Sequence, residues 1–409
     1  MMPTARHSVE VFIDWPDAPV EVGTAYFSLR RGILSTTFEY SASYLARPDA
    51  FAQGPDLPLR DGKIHVSGLP GAMADTSPDR WGRMLITKGI EQEARDAHQT
   101  PPLVTDVDFL LGVRDETRQG ALRFRRPGQS FDDGGLVPQV IELPRLLRAA
   151  DLLARGSSGA SGFAAIKELL NAGTGSLGGA RPKASVRDGA ALSIAKFPHP
   201  HDEWDIAVWE KTMADLARAC GIQAPENRLI NVDGQRVLLI ERFDRIAQRR
   251  LPYLSALSLV QGHDGDARDY LEVAEALSAF GSHVADDLVA LWMRIAFSLL
   301  VNNTDDHLRN LGFLYRDHGW TLSPMFDVNP NPIRGIAHAT SIGFESRPEK
   351  ALAALLSAAP SFGLTVSEAS NRWSSLVRAT DHWSACAAAN GASVAEIHRF
   401  TPSMDTYRD

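Results

Sequence analysis

The chain has 409 residues, more than one hydrophobic core usually serves, so two or three structural units are expected. With 44% hydrophobic and 22% charged residues, the composition excludes a disordered or fibrous chain. A net charge of -8 excludes a broad basic footprint for nucleic acid, so independent DNA binding is not expected.

The start, Met1 to Trp15, has no apolar block followed by small residues, and the longest apolar run, Leu288 to Val301, is short for a bilayer and contains Arg294. A cytoplasmic protein is expected. Cys220 and Cys386 lie in helical patterns without metal-ligand spacing, which reads as reduced core thiols.

From Val9 to about Phe124 short β-rich runs (VEVFIDW, VGTAYFSLRRG, STTFEY) alternate with loops, and Asp79 to Ile86 begins a helix. This reads as an N-terminal α+β domain over 1–125. The stretch 126–172 opens with a Pro- and Gly-rich loop, Arg125 to Gln139, and continues as a helical connection from Leu143 to Leu170. Next comes a β-rich section, 173–249. Lys183 to Val186 and Ala191 to Phe197 flank Arg187-Asp188-Gly189, and RLINV and RVLLI flank a second Asp-Gly turn, each reading as a hairpin. Asp205 caps a predicted helix running to Ala219, with Gly221 as its stop. The remainder, 250–409, is mainly helical. Its exception is a hairpin in which LGFLYR and WTLSPMFD flank Asp317-His318-Gly319, expected to run on to Asp327.

The polar run NNTDDHLRN follows an apolar helix abruptly, and polar groups packed beside a core need a reason. Asp305 and Asn310 stand in D-x-x-x-x-N spacing, which in protein kinases lets the Asp accept a hydroxyl proton while the Asn holds a metal ion. Asp327 is the matching second ligand, and such oxygen donors suit Mg²⁺ with phosphates and water completing the shell. By itself the motif far better describes a capped turn, since both residue types favour turns. Its weight comes from order: a sheet ending in Lys196, a helix carrying Glu210, then Asp, Asn and Asp around a hairpin. Lys196 is placed to meet phosphate oxygens, with Glu210 orienting it.

The glycine-rich stretch from Gly173 to Lys183 offers backbone N–H groups to phosphate. It does not fit the P-loop pattern G-x-x-x-x-G-K-[ST], and Lys183 reads either as a phosphate contact or as a solvated surface charge. His307 beside Asp305 reads as a supporting hydrogen-bonding group. Trp209, Trp292 and Trp383 read as core or interface.

In the same order along the chain, LPGAMADTSPDRWGR, GALRF, GGARPK, IAKFP, LLIERFDR, YLSALSL, NNTDDHLRN and LSPMFDVNP resemble segments of the HipA family, and the likeness spans nearly the whole sequence. The resemblance implies an α+β fold with a bilobed protein-kinase-like core, a small β-rich lobe and a larger helical lobe, behind an N-terminal α+β domain. It implies an ATP- and Mg²⁺-dependent serine/threonine kinase with Asp305 as base and Asn310 and Asp327 as magnesium ligands. Lys196 and Lys183 would bind phosphate under the loop Ser176, Leu177, Gly178, Gly179 and Ala180, and Glu241, Arg242 and Phe243 would line the adenine through backbone contacts. Ser176 falls where the family carries an autophosphorylated serine.

The resemblance further implies a toxin that phosphorylates an aminoacyl-tRNA synthetase and is neutralised by a helix-turn-helix, HipB-like antitoxin, which would supply the contact to DNA. Two other readings share these residues: a kinase acting on a small molecule or lipid head group, and a catalytically silent corepressor.

Overall fold

In the computed structural model, which describes residues 7–15, 18–131, 136–156, 159–173, 181–247 and 249–408, the alternating runs near the N terminus pair as a sheet. Five antiparallel strands lie in the order Lys63–Ser67, Ile33–Tyr40, Val20–Arg30, His7–Ile13, Leu122–Arg125. Alternation decides which face is buried: Val9, Val11 and Ile13 point into the core opposite Ala25 and Phe27 of the neighbouring strand. At Gly23 a Cβ would lie 2.2 Å from the Glu39 carbonyl oxygen, so the pairing with Tyr40 demands glycine.

The chain divides into two compact units, Met1–His201 with Asn231–Leu254, and Asp202–Ile230 with Ser255–Asp409. The divisions fall at 201, 230 and 254, whereas the sequence suggested 125, 172 and 249. Side chains account for the absence of a boundary near 126–172. The expected Leu143–Leu170 helix is two helices, Leu143–Ala154 and Gly159–Asn171, joined by the Arg145 to Glu168 ion pair at 2.7 Å. The second packs on the helix Arg80–Asp96, where a Cβ on Gly89 would lie 3.2 Å from Leu170.

Lys183–Asp188, Ala191–Lys196 and Gln235–Glu241 form the second sheet of this unit, antiparallel, with Lys183 opposite Lys196 and Ser193 opposite Glu241. Below it lies a buried ionic cluster. The Asp244 carboxylate accepts from Arg242 (Nε, 2.8 Å), Arg245 (2.7 Å) and the Gly120 N–H (2.7 Å), while Arg242 donates to the Thr117 carbonyl at 2.7 Å. Burial alone would raise the Asp244 pKa, but Arg242 and Arg245 outweigh it and hold the carboxyl well below its ordinary value.

The second unit is mainly helical. Ile206–Ala219 begins at Asp205, whose side chain accepts from the Val208 N–H, and it buries Trp209 against Phe400 with ring centroids 3.8 Å apart. Trp292 and Trp383 are buried as well, in keeping with their reading as core. Cys220 and Cys386 are only partly buried, yet burial still pushes both thiols up, Cys220 to about 11. Val284–Leu300 carries Arg294 into the interior, where it donates to the Ser323 carbonyl near Asp287. That apolar run is therefore a core helix, and no helix among the described residues is long and apolar enough to cross a membrane. The hairpin pairs Gly312–Arg316 with Gly319–Leu322, the Ser323 N–H still reaches the Gly312 carbonyl at 2.9 Å, and Pro324, which has no N–H, follows short of Asp327. Four helices close the chain, Pro348–Ser357, Val366–Ala379, Trp383–Asn390 and Val394–Met404.

Candidate active site

The helix Val284–Leu300 delivers the chain into the turn 302–310. Asn302 adopts a left-handed conformation (φ 50°), tolerable for Asn, and its amide donates to the carbonyls of Asn331 (2.6 Å) and Ile333 (3.0 Å). In return Asn331 donates its N–H to the Asn302 carbonyl (2.9 Å) and its amide to the Thr304 hydroxyl (2.9 Å). The turn is thus laced to a segment 4 residues beyond Asp327.

Asp305 and Asp306 are neighbours with opposite fates. The Asp305 side chain is 80% exposed, whereas that of Asp306 is 5% exposed. Asp306 accepts from the Tyr270 hydroxyl (3.0 Å) and the Ala339 N–H (3.0 Å), and its carbonyl accepts from Thr340 (2.7 Å). Burial and the neighbouring Asp306 charge push the Tyr270 phenol far above its ordinary value, so it remains a proton donor. His338, buried beside them, has one ring nitrogen 3.1 Å from the Asn303 carbonyl and 3.6 Å from the Asp306 carboxylate. These anchors hold Asp305 outward. Sequence reasoning passed over Asp306, Tyr270 and His338, whose only signal was the doubled Asp.

Asn310 closes the turn with its amide nitrogen on the Asp305 carbonyl at 3.1 Å, so the amide oxygen is the atom that could meet a cation. His307 starts the single 3₁₀ turn Leu308–Asn310 and lies 3.9 Å from Asp305, beyond hydrogen-bond length. Asp327 sits at φ 57°, a left-handed conformation of the kind that collects at functional sites, and accepts from the Asn329 amide at 3.4 Å. Among the described residues no three His, Cys, Asp or Glu side chains cluster as a metal cage. An Asn oxygen with one carboxylate fits a hard cation whose remaining ligands are phosphate and water.

In the first unit, Lys183 and Lys196 are cross-strand partners on one face, a placement that like charges resist without compensation. The compensation is Asp79, whose carboxylate meets the buried Lys183 ammonium at 2.9 Å while capping its own helix through the Gly82 N–H. Burial raises the Asp79 pKa, and Lys183 opposes that rise. Lys183 is therefore not a solvated charge. Lys196 ends its strand as expected, and Glu210 is buried in its helix.

Among the residues expected to line adenine, Arg242 donates its N–H to the Leu192 carbonyl at 3.0 Å and its guanidinium to Asp244. Glu241 is exposed and pairs with Ser193, and Phe243 is half-buried beside Tyr253. Ser176, Leu177, Gly178, Gly179 and Ala180 lie outside the described residues.

Sheet-rich and helix-rich parts in this order, with a polar turn after an apolar helix, make an α+β protein. The family model of the HipA-like C-terminal domain matches residues 175–383, just over half of the sequence, and the chain belongs to that family. HipA of Shewanella oneidensis MR-1, solved with HipB and operator DNA, shares the fold: TM-score 0.69 and 16% identity, over 97% of this chain and 96% of that one. Two curated relatives are named as candidate kinases. Y4dM of Sinorhizobium fredii is 27% identical over 135 residues, 29% of this chain and 32% of its own. A Haemophilus influenzae protein is 26% identical over 154 residues, 33% of this chain and 45% of its own. The chain thus spans less than half the length of either curated relative.

Proposed function

We propose that the protein is an ATP- and Mg²⁺-dependent serine/threonine protein kinase, the toxin of a toxin–antitoxin pair. The observation that carries this is the turn 302–310, in which buried Asp306 pins the backbone so that Asp305 is exposed and Asn310 is tied to it. Asp305 would orient a serine or threonine hydroxyl and take its proton. Asn310 and Asp327 would hold Mg²⁺, which neutralises phosphate charge when bound. Lys196 would meet phosphate oxygens, Lys183 opposite it in the sheet is held by Asp79, and Glu210 and His307 would have supporting roles.

The S. oneidensis relative forms a complex with HipB and operator DNA. A helix-turn-helix antitoxin in that role suits a chain of net charge -8, which has no broad basic surface of its own for DNA. The acceptor would be a protein of the translation apparatus such as an aminoacyl-tRNA synthetase, and Ser176 the autophosphorylated position. The deciding experiment is labelled ATP with the purified protein and with Asp305→Asn. Wild type should label itself in a magnesium-dependent way; equal labelling of the variant would overturn the reading.

A further inference from the structure

Phe344 occupies a position that serves nothing inside the fold. It is 95% exposed, and its backbone sits at φ 68°, a left-handed conformation that a bulky side chain adopts only at a cost. The turn that forces this is tight. Ile342 and Glu345 exchange backbone hydrogen bonds of 2.9 and 3.1 Å around Gly343 and Phe344, both at positive φ. Two-residue turns of this kind ordinarily place Gly, Asn or Asp at their centre. Asp269, itself buried, clamps the turn by accepting from the Ser341 hydroxyl (2.6 Å), the Gly343 N–H (3.2 Å) and the Phe344 N–H (2.7 Å). An aromatic ring is thereby held out in water on a rigid, strained support, and the core gains nothing from it.

The segment that carries Phe344 is the one that anchors the catalytic turn. Ala339 donates its N–H to the Asp306 carboxylate and Thr340 its hydroxyl to the Asp306 carbonyl, while the His338 N–H reaches the Ser346 carbonyl at 2.9 Å. Ile333 and Ile336, 60% and 41% exposed, lie between Asn331, bonded to Asn302 and Thr304, and His338. Three exposed apolar side chains thus belong to the stretch that fixes Asp305.

We propose that Phe344 is a docking residue for the polypeptide acceptor, seated against an apolar side chain near the hydroxyl that is phosphorylated. The proposal rests on the kinase reading above and deepens it. A rigid ring standing outside the fold is of no use to a metabolite small enough to be enclosed beside Asp305. For a polypeptide running over the surface it is an anchor whose ordering is already complete before binding.

Phe344→Gly in the full chain separates the alternatives. Relief of the left-handed strain should leave Tm at or above that of wild type. On a degenerate serine/threonine peptide library with labelled ATP, wild type should select an apolar residue at a fixed distance from the acceptor. The variant should lose that selection, with kcat/KM for the best peptide lower by about 10-fold or more, while Phe344→Trp keeps it. A Tm several degrees below wild type, an unchanged selection, or no apolar selection by wild type would overturn the docking role. Autophosphorylation that survives Asp305→Asn would instead overturn the kinase reading beneath it.

Discussion

The phenol of Tyr270 lies 3.0 Å from the buried carboxylate of Asp306, the immediate neighbour of the exposed Asp305. Two adjacent and chemically identical side chains are thereby separated into one that anchors the turn and one that faces solvent. Asp306→Ala leaves the Tyr270 hydroxyl and the Ala339 N–H buried without this acceptor, at about 1–3 kcal/mol for each unmade bond. Urea denaturation should show a loss of about 2–6 kcal/mol for Asp306→Ala and almost none for Asp305→Ala. Equal losses would contradict the division of roles.

Asp305→Asn tests the role proposed for the exposed member. A general base contributes roughly 10² to 10⁴ in rate, so phosphate transfer should fall by that factor at an unchanged Tm, since the side chain is 80% exposed. Radiolabel incorporation and thermal melting on the same preparation decide it.

The Asp79 to Lys183 pair predicts a non-additive series. Removing one partner of a buried ion pair costs about 3–5 kcal/mol, because it strands the other charge. Asp79→Leu and Lys183→Met should each destabilise strongly, and the double variant should recover most of the loss. A double variant as unstable as the sum of the singles would show that the two side chains act separately.

Acid stability should depend on Asp244. Its folded pKa is depressed below the ordinary 3.8, so its stabilisation is present above that value and is lost as pH falls through the lower folded one. Asp244→Asn should therefore be much less stable near neutral pH and show a shallower decline on acidification. Denaturation midpoints measured across the acid range provide the check, and parallel curves for the two proteins would rule the prediction out.

Cys220, pushed up to about 11 by burial, is a poor nucleophile near neutral pH. Alkylation by iodoacetamide should be slow in the native protein and should become fast on denaturation. Equal rates would show the thiolate to be accessible in the folded state.

Much of the local grammar was legible. The helix Ile206–Ala219 begins after its capping Asp205, and the Asp233-Gly234 turn joins Asn227–Val232 to Gln235–Glu241 where the pattern placed it. Such features depend on residues a few positions apart, where a cap or a turn states its own geometry. The hairpin was expected to run on to Asp327 and ends at Leu322, because Pro324 has no N–H with which to extend the pairing.

By itself the sequence determined the order of elements and marked Asp305, Asn310 and Asp327 as candidates for phosphoryl transfer, since spacing and side-chain chemistry are written along the chain. It could not say which member of the Asp305-Asp306 doublet would be buried, that Lys183 would find Asp79 104 residues away, or that Arg242 would be spent on Asp244. Those assignments depend on which polar groups fold against a core. A buried charge must take whichever partner the tertiary structure brings within reach, and that neighbour is set by packing across the fold and not by distance along the chain.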